Sequence, residues 1–333
     1  MFKALGNLGV NTKGYICLAL VDVIWVASGY LMQVIYTKYN YSNSIAMAVY
    51  SVILGLILLL PLCWRKVSRA SLPSVAQLGV LGFLWLLGQL TYLFALMYSS
   101  MSTCTAISGT ATVFAYLFSM IILKYSFRWL SALGVAVCMA GIVLTALFNA
   151  TATDPANSNE SVIAETATGI IAGIVAAVNS GLFTCLFKKW VKDDSNSGIV
   201  FGCFGFVGIV IGIPIIMISH YSGLQAFELP NWDASLLIVA DAILCSVVCN
   251  FFFSKTFVYL SPVIVQVGLT MTIPVTFIIT ALILRTHRYP PVAIVGVVLI
   301  FLAVIVVSYD QAKYEQQSQP VKTEDVIECS STC

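Results

Sequence analysis

An all-helical, polytopic membrane protein is the fold class this sequence predicts, and three observations predict it. Of 333 residues, 60% are hydrophobic and only 9% are charged, where soluble domains carry about 25% charged residues. The apolar residues gather in long runs, close to the roughly 20 residues a bilayer-spanning helix needs. One stretch, from Ala70 to Leu123, contains no charge at all. Lipid, not water, must be the main solvent of such a chain.

Ten spans fit, at 15–37, 43–64, 74–97, 101–123, 129–149, 167–187, 198–219, 234–257, 261–284 and 290–309. The short polar segment 1–14 precedes the first run, which is too long for a cleaved signal and reads as a retained span. The eighth is the least clean, because Asp241 and Lys255 lie in or beside it. A polar tail, 310–333, has little to bury and reads as disordered.

Lysine and arginine set the orientation. With the N-terminus cytosolic, thirteen of the sixteen fall on the cytosolic side or nearest it, and only Lys38, Arg285 and Arg288 fall outside. The loop 150–166 is then lumenal or extracellular and carries no basic residue. It contains Asn159-Glu160-Ser161, an N-glycosylation acceptor pattern.

Several function classes find no support. The net charge of +2 gives no nucleic-acid footprint. No phosphate-binding loop or metal motif occurs. The ten cysteines are scattered, mostly through apolar runs, without Cys-x-x-Cys spacing. His220 and His287 stand near the outer ends of spans, and no Cys or Ser near either one suggests a triad, so neither an enzyme nor a cofactor is expected.

The two halves echo each other. Val26-Ala27-Ser28-Gly29 answers Val178-Asn179-Ser180-Gly181, Tyr98 answers Tyr259, and Leu123-Lys124 answers Leu284-Arg285. Five spans per half make the second half inverted relative to the first. The predicted architecture is therefore ten transmembrane helices as two inverted five-helix repeats, 15–149 and 167–309. Many secondary transporters have this plan, with a solute site at the midplane between repeats.

Polar residues within spans mark where such a site would lie. Asp22 sits about 10 Å into the first span at helical rise, and Asp241 lies at similar depth in the eighth. Each could bind a cation, carry a proton or hold a neighbouring helix. Gln33, Gln89, Asn179, Asn250 and Gln266 could line a cavity or join helices. Trp25 and Tyr92, like Tyr30, Trp85 and Tyr116, could be core or cavity wall. The fourth span is crowded with small and hydroxyl residues, and Thr105, Ser108 and Thr112 share a helical face. That face is expected to oppose Gln266, Thr270 and Pro274 of the ninth span. Pro214 and Pro274 each remove a backbone donor, giving a kink or a hinge.

Leu20-Val21-Asp22-Val23-Ile24-Trp25-Val26-Ala27-Ser28 resembles the first span of subfamily F of the solute carrier 35 family, nearest the branch around its fifth member and related fungal proteins. Tyr92-Leu93-Phe94-Ala95-Leu96, His220-Tyr221-Ser222-Gly223 and Leu269-Thr270-Met271-Thr272-Ile273-Pro274 extend the likeness across most of the chain. That family is EamA-like and lies in the drug/metabolite transporter superfamily. The resemblance implies the ten-helix inverted repeat with both termini cytosolic. It also implies a secondary transporter of a small organic metabolite, working by alternating access, with an endomembrane such as Golgi, vacuole or lysosome favoured over the plasma membrane. The solute could be proton-coupled or exchanged. Better-known relatives exchange nucleotide sugars for nucleoside monophosphates, but the Phe-Tyr-Asn-Asn and Gly-Ala-Leu-Asn-Lys strings of some of them are missing here. Basic groups in the spans are scarce, so a neutral or cationic solute is favoured. A non-transporting receptor or scaffold on the same fold is the alternative.

Overall fold

The structure is a computed structural model, and it describes residues 10–39, 41, 43–63, 72–98, 101–152, 160–223, 227–284 and 291–318. Helices α1 (Val10–Lys38), α2 (Ser44–Cys63) and α3 (Val75–Tyr98) come first. The fourth apolar stretch forms two helices, α4 (Met101–Gly109) and α5 (Ala111–Ile122), and α6 (Trp129–Ala152) follows. After α7 (Glu160–Trp190), the chain forms α8 (Asp194–Val207), a π-helical turn at Gly208–Gly212 and α9 (Ile213–Tyr221). The eighth stretch is α10 (Trp232–Asp241), a π-helical segment at Ala242–Cys249 and α11 (Asn250–Tyr259). The ninth divides into α12 (Pro262–Leu269) and α13 (Thr272–Leu284), and α14 (Pro291–Ser318) ends the described chain. Among the described residues there is no strand.

Lipid cannot satisfy exposed backbone groups, so continuous helices are the expected solution. Seven are long and apolar enough to cross a bilayer, and three shorter apolar helices lie at Ala106–Ile122, Trp129–Thr145 and Pro262–Thr276. Helix starts follow local chemistry. Asn43 Oδ1 accepts from the Ala46 amide at 2.9 Å, and Ser74 and Gln77 exchange side-chain and backbone hydrogen bonds as a capping box. Ser261 caps α12, with Pro262 at its first position.

The interruptions also have causes. Pro274 has no N–H to give the carbonyl four residues earlier, and its ring crowds that carbonyl. The helix breaks there, at Thr270 and Met271. The fourth stretch breaks at Thr110, directly after Gly109, without a proline. Pro214 follows the π-turn at Gly208–Gly212, which absorbs its missing donor.

Three expected boundaries shift. Helix α1 begins at Val10, inside the segment expected to precede the first span. Helix α7 begins at Glu160, inside the expected loop 150–166, and Asn159 lies outside the described residues. Helix α14 runs to Ser318, through the start of the tail expected to be disordered. Asp310 explains that extension. It is buried, accepts from the Ser131 hydroxyl, and pairs with Arg128 Nη1 at 3.2 Å. The ion pair fixes the helix where composition predicted its end.

Packing is pairwise. Helix α6 lies along α14, α3 along α7, α2 along α8, and α1 along α10 and α11. Helices α6 and α14 touch backbone to backbone. A Cβ on Gly141 would stand 2.7 Å from Gly296 O, and one on Gly296 would stand 2.8 Å from Gly141 O. Only glycine permits that approach. On α8, Gly202 rests on the Leu60 backbone in the same manner. The centre is aromatic instead. Trp85 meets Phe183, Phe201 and Phe253 at centroid separations of 5.2, 4.9 and 6.1 Å, and Phe187, Phe204 and Phe257 continue the cluster.

Candidate solute cavity

A cavity opens above the aromatic cluster, where α1, α3, α4, α7, α11 and α12 converge. The space within it open to the centre of a water-sized sphere is about 130 Å³. Trp25, Trp85, Tyr92, Phe183 and Phe253 supply its aromatic groups, and Gln89, Ser108, Asn179, Ser180, Gln266, Thr270 and Thr272 supply its polar ones. Among the described residues, no Asp, Glu, Lys, Arg or His lines it.

Each polar group has a defined orientation. Asn179 Nδ2 donates to Leu84 O at 2.8 Å, tying α7 to α3. Its other end, Oδ1, is buried with no hydrogen-bond partner. Gln266 Nε2 donates to Ser180 Oγ at 3.0 Å and to Thr184 Oγ1 at 2.6 Å, tying α12 to α7. The hydroxyls of Ser108, Thr270 and Thr272 donate to carbonyls of their own chain segments, at Cys104, Val267 and Leu269. The broken ninth helix places Thr270 at its joint, where its oxygen also meets Cys138 Sγ at 3.5 Å.

A second, smaller chamber of about 40 Å³ by the same measure adjoins the first. The two share Trp25, Trp85, Gln89 and Tyr92. Ser28, Asp241, Cys245, Ser246 and Asn250 supply its polar and sulfur groups. Ser28 Oγ donates to Asp241 Oδ1 at 2.5 Å, joining α1 to the eighth stretch. Asp241 is the last residue before the π-helical segment Ala242–Cys249. Such segments recur at functional sites, because the extra residue redirects one side chain.

The residues singled out from sequence are distributed unequally. Trp25, Gln89, Tyr92, Ser108, Asn179, Gln266 and Thr270 line the larger cavity, and Asp241 lines the smaller. Asp22 lines neither; it is buried, and its Oδ1 lacks a hydrogen-bond partner among the described residues. Thr112 also stands away from both. It is buried between helices, donating to Gly109 O at 2.8 Å and to Gln266 O at 3.5 Å. Pro274 shapes the joint below Thr270 without lining a chamber. Sharing a face with Ser108 was not enough, because the chain breaks at Thr110 and the face does not continue. The side chains of Thr105 and Gln33 lie outside the described residues.

Sequence reasoning passed over Ser28, Ser180, Phe183, Phe253 and Thr272. The repeat held a signal for both serines, which occupy equivalent places in Val26-Ala27-Ser28-Gly29 and Val178-Asn179-Ser180-Gly181. Nothing in the pattern separated the two phenylalanines from ordinary core.

Comparison with known proteins follows the same lines. Residues 12–147 match the EamA-like transporter family. The chain is 25% identical over 230 residues to a thiamine-repressible mitochondrial transport protein, THI74, of Saccharomyces cerevisiae, covering 68% of this chain and 60% of that one. It is 23% identical over 220 residues to solute carrier family 35 member F5 of Mus musculus, covering 64% of this chain and 40% of that one. The match therefore spans less than two thirds of either relative's length. A solved crystal structure superimposes with a TM-score of 0.67 at 12% identity, covering 92% of this chain and 99% of the other.

Proposed function

We propose, from the match of residues 12–147 to the EamA-like transporter family and the similarity to solute carrier family 35 member F5, that this chain is a membrane transporter of that kind and carries a small organic metabolite across an endomembrane by alternating access. The observation that carries this reading is the cavity. It lies where α1, α3 and α4 of the first half meet α7, α11 and α12 of the second.

The proposed architecture is ten spans in two inverted five-helix repeats, with both termini cytosolic. Helix pairing supports it, since α3 on α7 mirrors α11 on α1. The interruptions support it as well. Tyr98 and Tyr259 differ by 161, and adding 161 to Thr110 gives Met271, so the two broken helices break at equivalent places. Alternating access then amounts to rocking one repeat against the other about the central site. Phe187 and Phe257 fill the space between the cavity and the end bearing Lys188, Lys189 and Lys192, which supports a conformation closed on the cytosolic side.

The residues proposed to meet the solute are Trp25, Gln89, Tyr92, Ser108, Asn179, Gln266, Thr270 and, from the adjoining chamber, Asp241. Asp22, Thr105, Thr112 and Pro274 are proposed to act at one remove, through helix position. A nucleotide sugar is the competing solute class. Its diphosphate would want arginine or lysine in the cavity, and among the described residues neither chamber's wall contains one. The competing function is a receptor or scaffold that retains the fold without transport.

Uptake into proteoliposomes from a broad metabolite panel tests the transport reading. Saturable uptake of at least one small organic solute is expected. Folded protein that moves none of them leaves the receptor reading in its place.

A further inference from the structure

The hydrogen-bond inventory of the cavity wall is unbalanced. A serine or threonine hydroxyl has one proton and two lone pairs. Ser108, Thr270 and Thr272 each donate that proton to a backbone carbonyl three or four residues earlier, at 2.7, 2.5 and 2.7 Å. Lone pairs are what they have left to offer a guest. Asn179 is fixed in the same sense. Its Nδ2 is held by Leu84 O, so the carbonyl end is the free one. That oxygen is buried and unpartnered, on a residue only 6% exposed that lines the cavity. Gln266 has committed its Nε2 to Ser180 and Thr184.

The side-chain donors on this wall are the Gln89 amide, the second N–H of Asn179, the Ser180 and Tyr92 hydroxyls and the two indole N–H groups. Acceptor oxygens and aromatic rings are interleaved around the cavity, with Gln89 between Trp85 and Tyr92 on α3 and Asn179 one turn from Phe183 on α7. Trp25 packs edge-on to Phe253 at 5.5 Å, and Trp85 tilts against Phe183 at 5.2 Å. Faces of this kind attract a cation through the ring quadrupole. The adjoining chamber adds a carboxylate, Asp241, and among the described residues neither chamber adds a positive side chain.

From this balance we infer that the solute is a small organic cation that carries its charge on N–H groups, such as a protonated amine or an amidinium. An anion meets no positive partner here. A fully alkylated ammonium satisfies the aromatic rings but leaves the acceptors of Asn179, Ser108 and Thr272 unpaired, and an unmet buried acceptor is costly. The N–H cation satisfies both. The inference rests on the reading of this cavity as the transport site.

Equilibrium binding of radiolabelled phenethylamine to the purified full-length protein tests it. The competitors are its N,N,N-trimethyl analogue, which keeps ring and charge but removes every N–H, and UDP-glucose. Phenethylamine is expected to compete about tenfold or more better than the trimethyl analogue, as the loss of matched hydrogen bonds requires, and UDP-glucose is expected not to compete. The Asn179→Leu variant should erase most of that difference. Thr272→Val should narrow it if the first variant does not fold. Equal binding of the two amines, preferred binding of UDP-glucose, or no saturable binding of any of the three overturns the inference. Uptake of the same compounds separates the two claims. Selective amine binding without uptake upholds the inference and removes the transport reading, whereas UDP-glucose uptake without amine binding does the opposite.

Discussion

Helices α6 and α14 meet with no space between them, whereas α3 and α7 meet around a space. In the first pair two glycines, Gly141 and Gly296, bring carbonyl oxygens to within 2.8 Å of where a side chain would begin. In the second pair a single amide, Asn179 to Leu84, bridges the helices beside the cavity. The difference follows from the solvent. Lipid tails are as apolar as leucine, so burial alone does not drive helices together, and close packing or a hydrogen bond must. The outer pair uses close packing and becomes a fixed support. The central pair uses side-chain hydrogen bonds, which hold position while leaving room for a solute.

That contrast can be broken by substitution. The largest effect is expected from Gly296→Leu, which forces a side chain into the α14–α6 contact. Overpacking of this kind costs about 3 kcal/mol, and thermal melting in detergent should show it as a large drop in stability and yield. If Gly296→Leu melts like the parent, the support reading fails. Asp241→Asn should do the reverse. Ser28 keeps an oxygen acceptor, so melting should stay within about 1 kcal/mol of the parent, while amine uptake falls about tenfold as the charge is removed. Unchanged uptake would take Asp241 out of the site. Asp310→Asn is intermediate. It weakens the contacts to Arg128 and Ser131 that pin the end of α14. A loss of about 1–2 kcal/mol is expected, with solute affinity unaltered; a change in affinity would join this support to the cavity. Gly79→Ala is the smallest. Nothing stands within 4 Å of a Cβ there, so helix propensity alone acts, and a gain of up to about 1 kcal/mol should appear as a slightly higher melting temperature.

The helices themselves were legible in the sequence, because composition and run length report directly on solvent. Each of the ten apolar stretches is largely helical over its described residues, with breaks at Thr110 and at Thr270 and Met271. Where the helices pause was less legible. Pro274 pointed to one break, but the break at Thr110 depends on Gly109 and on neighbouring packing, since Ile142 and Thr270 crowd Gly109. The end of α14 was misjudged because Asp310 looked like the start of a polar tail, and its partner Arg128 is distant in sequence. The cavity was half legible. Polar residues in apolar runs, such as Asn179, Gln89 and Gln266, pointed to its wall. Polarity could not tell Asp241, which faces a chamber, from Asp22, which does not. The side of a helix that a residue occupies is set by tertiary pairing, and aromatics such as Phe253 look alike in a wall and in a core.

The π-helical segment Ala242–Cys249 has a consequence for changes in chain length. A π-turn accommodates one residue more than an α-helix does over the same path. Deleting one residue there would restore α-helical spacing over the same path and leave α10 and α11 in register with each other. The Ser28–Asp241 contact would stay in place, while the side chains of the bulge itself, Cys245 and Ser246 among them, would be redirected. A single-codon deletion at this point would therefore act on the wall of the smaller chamber and spare the helix pairing around it.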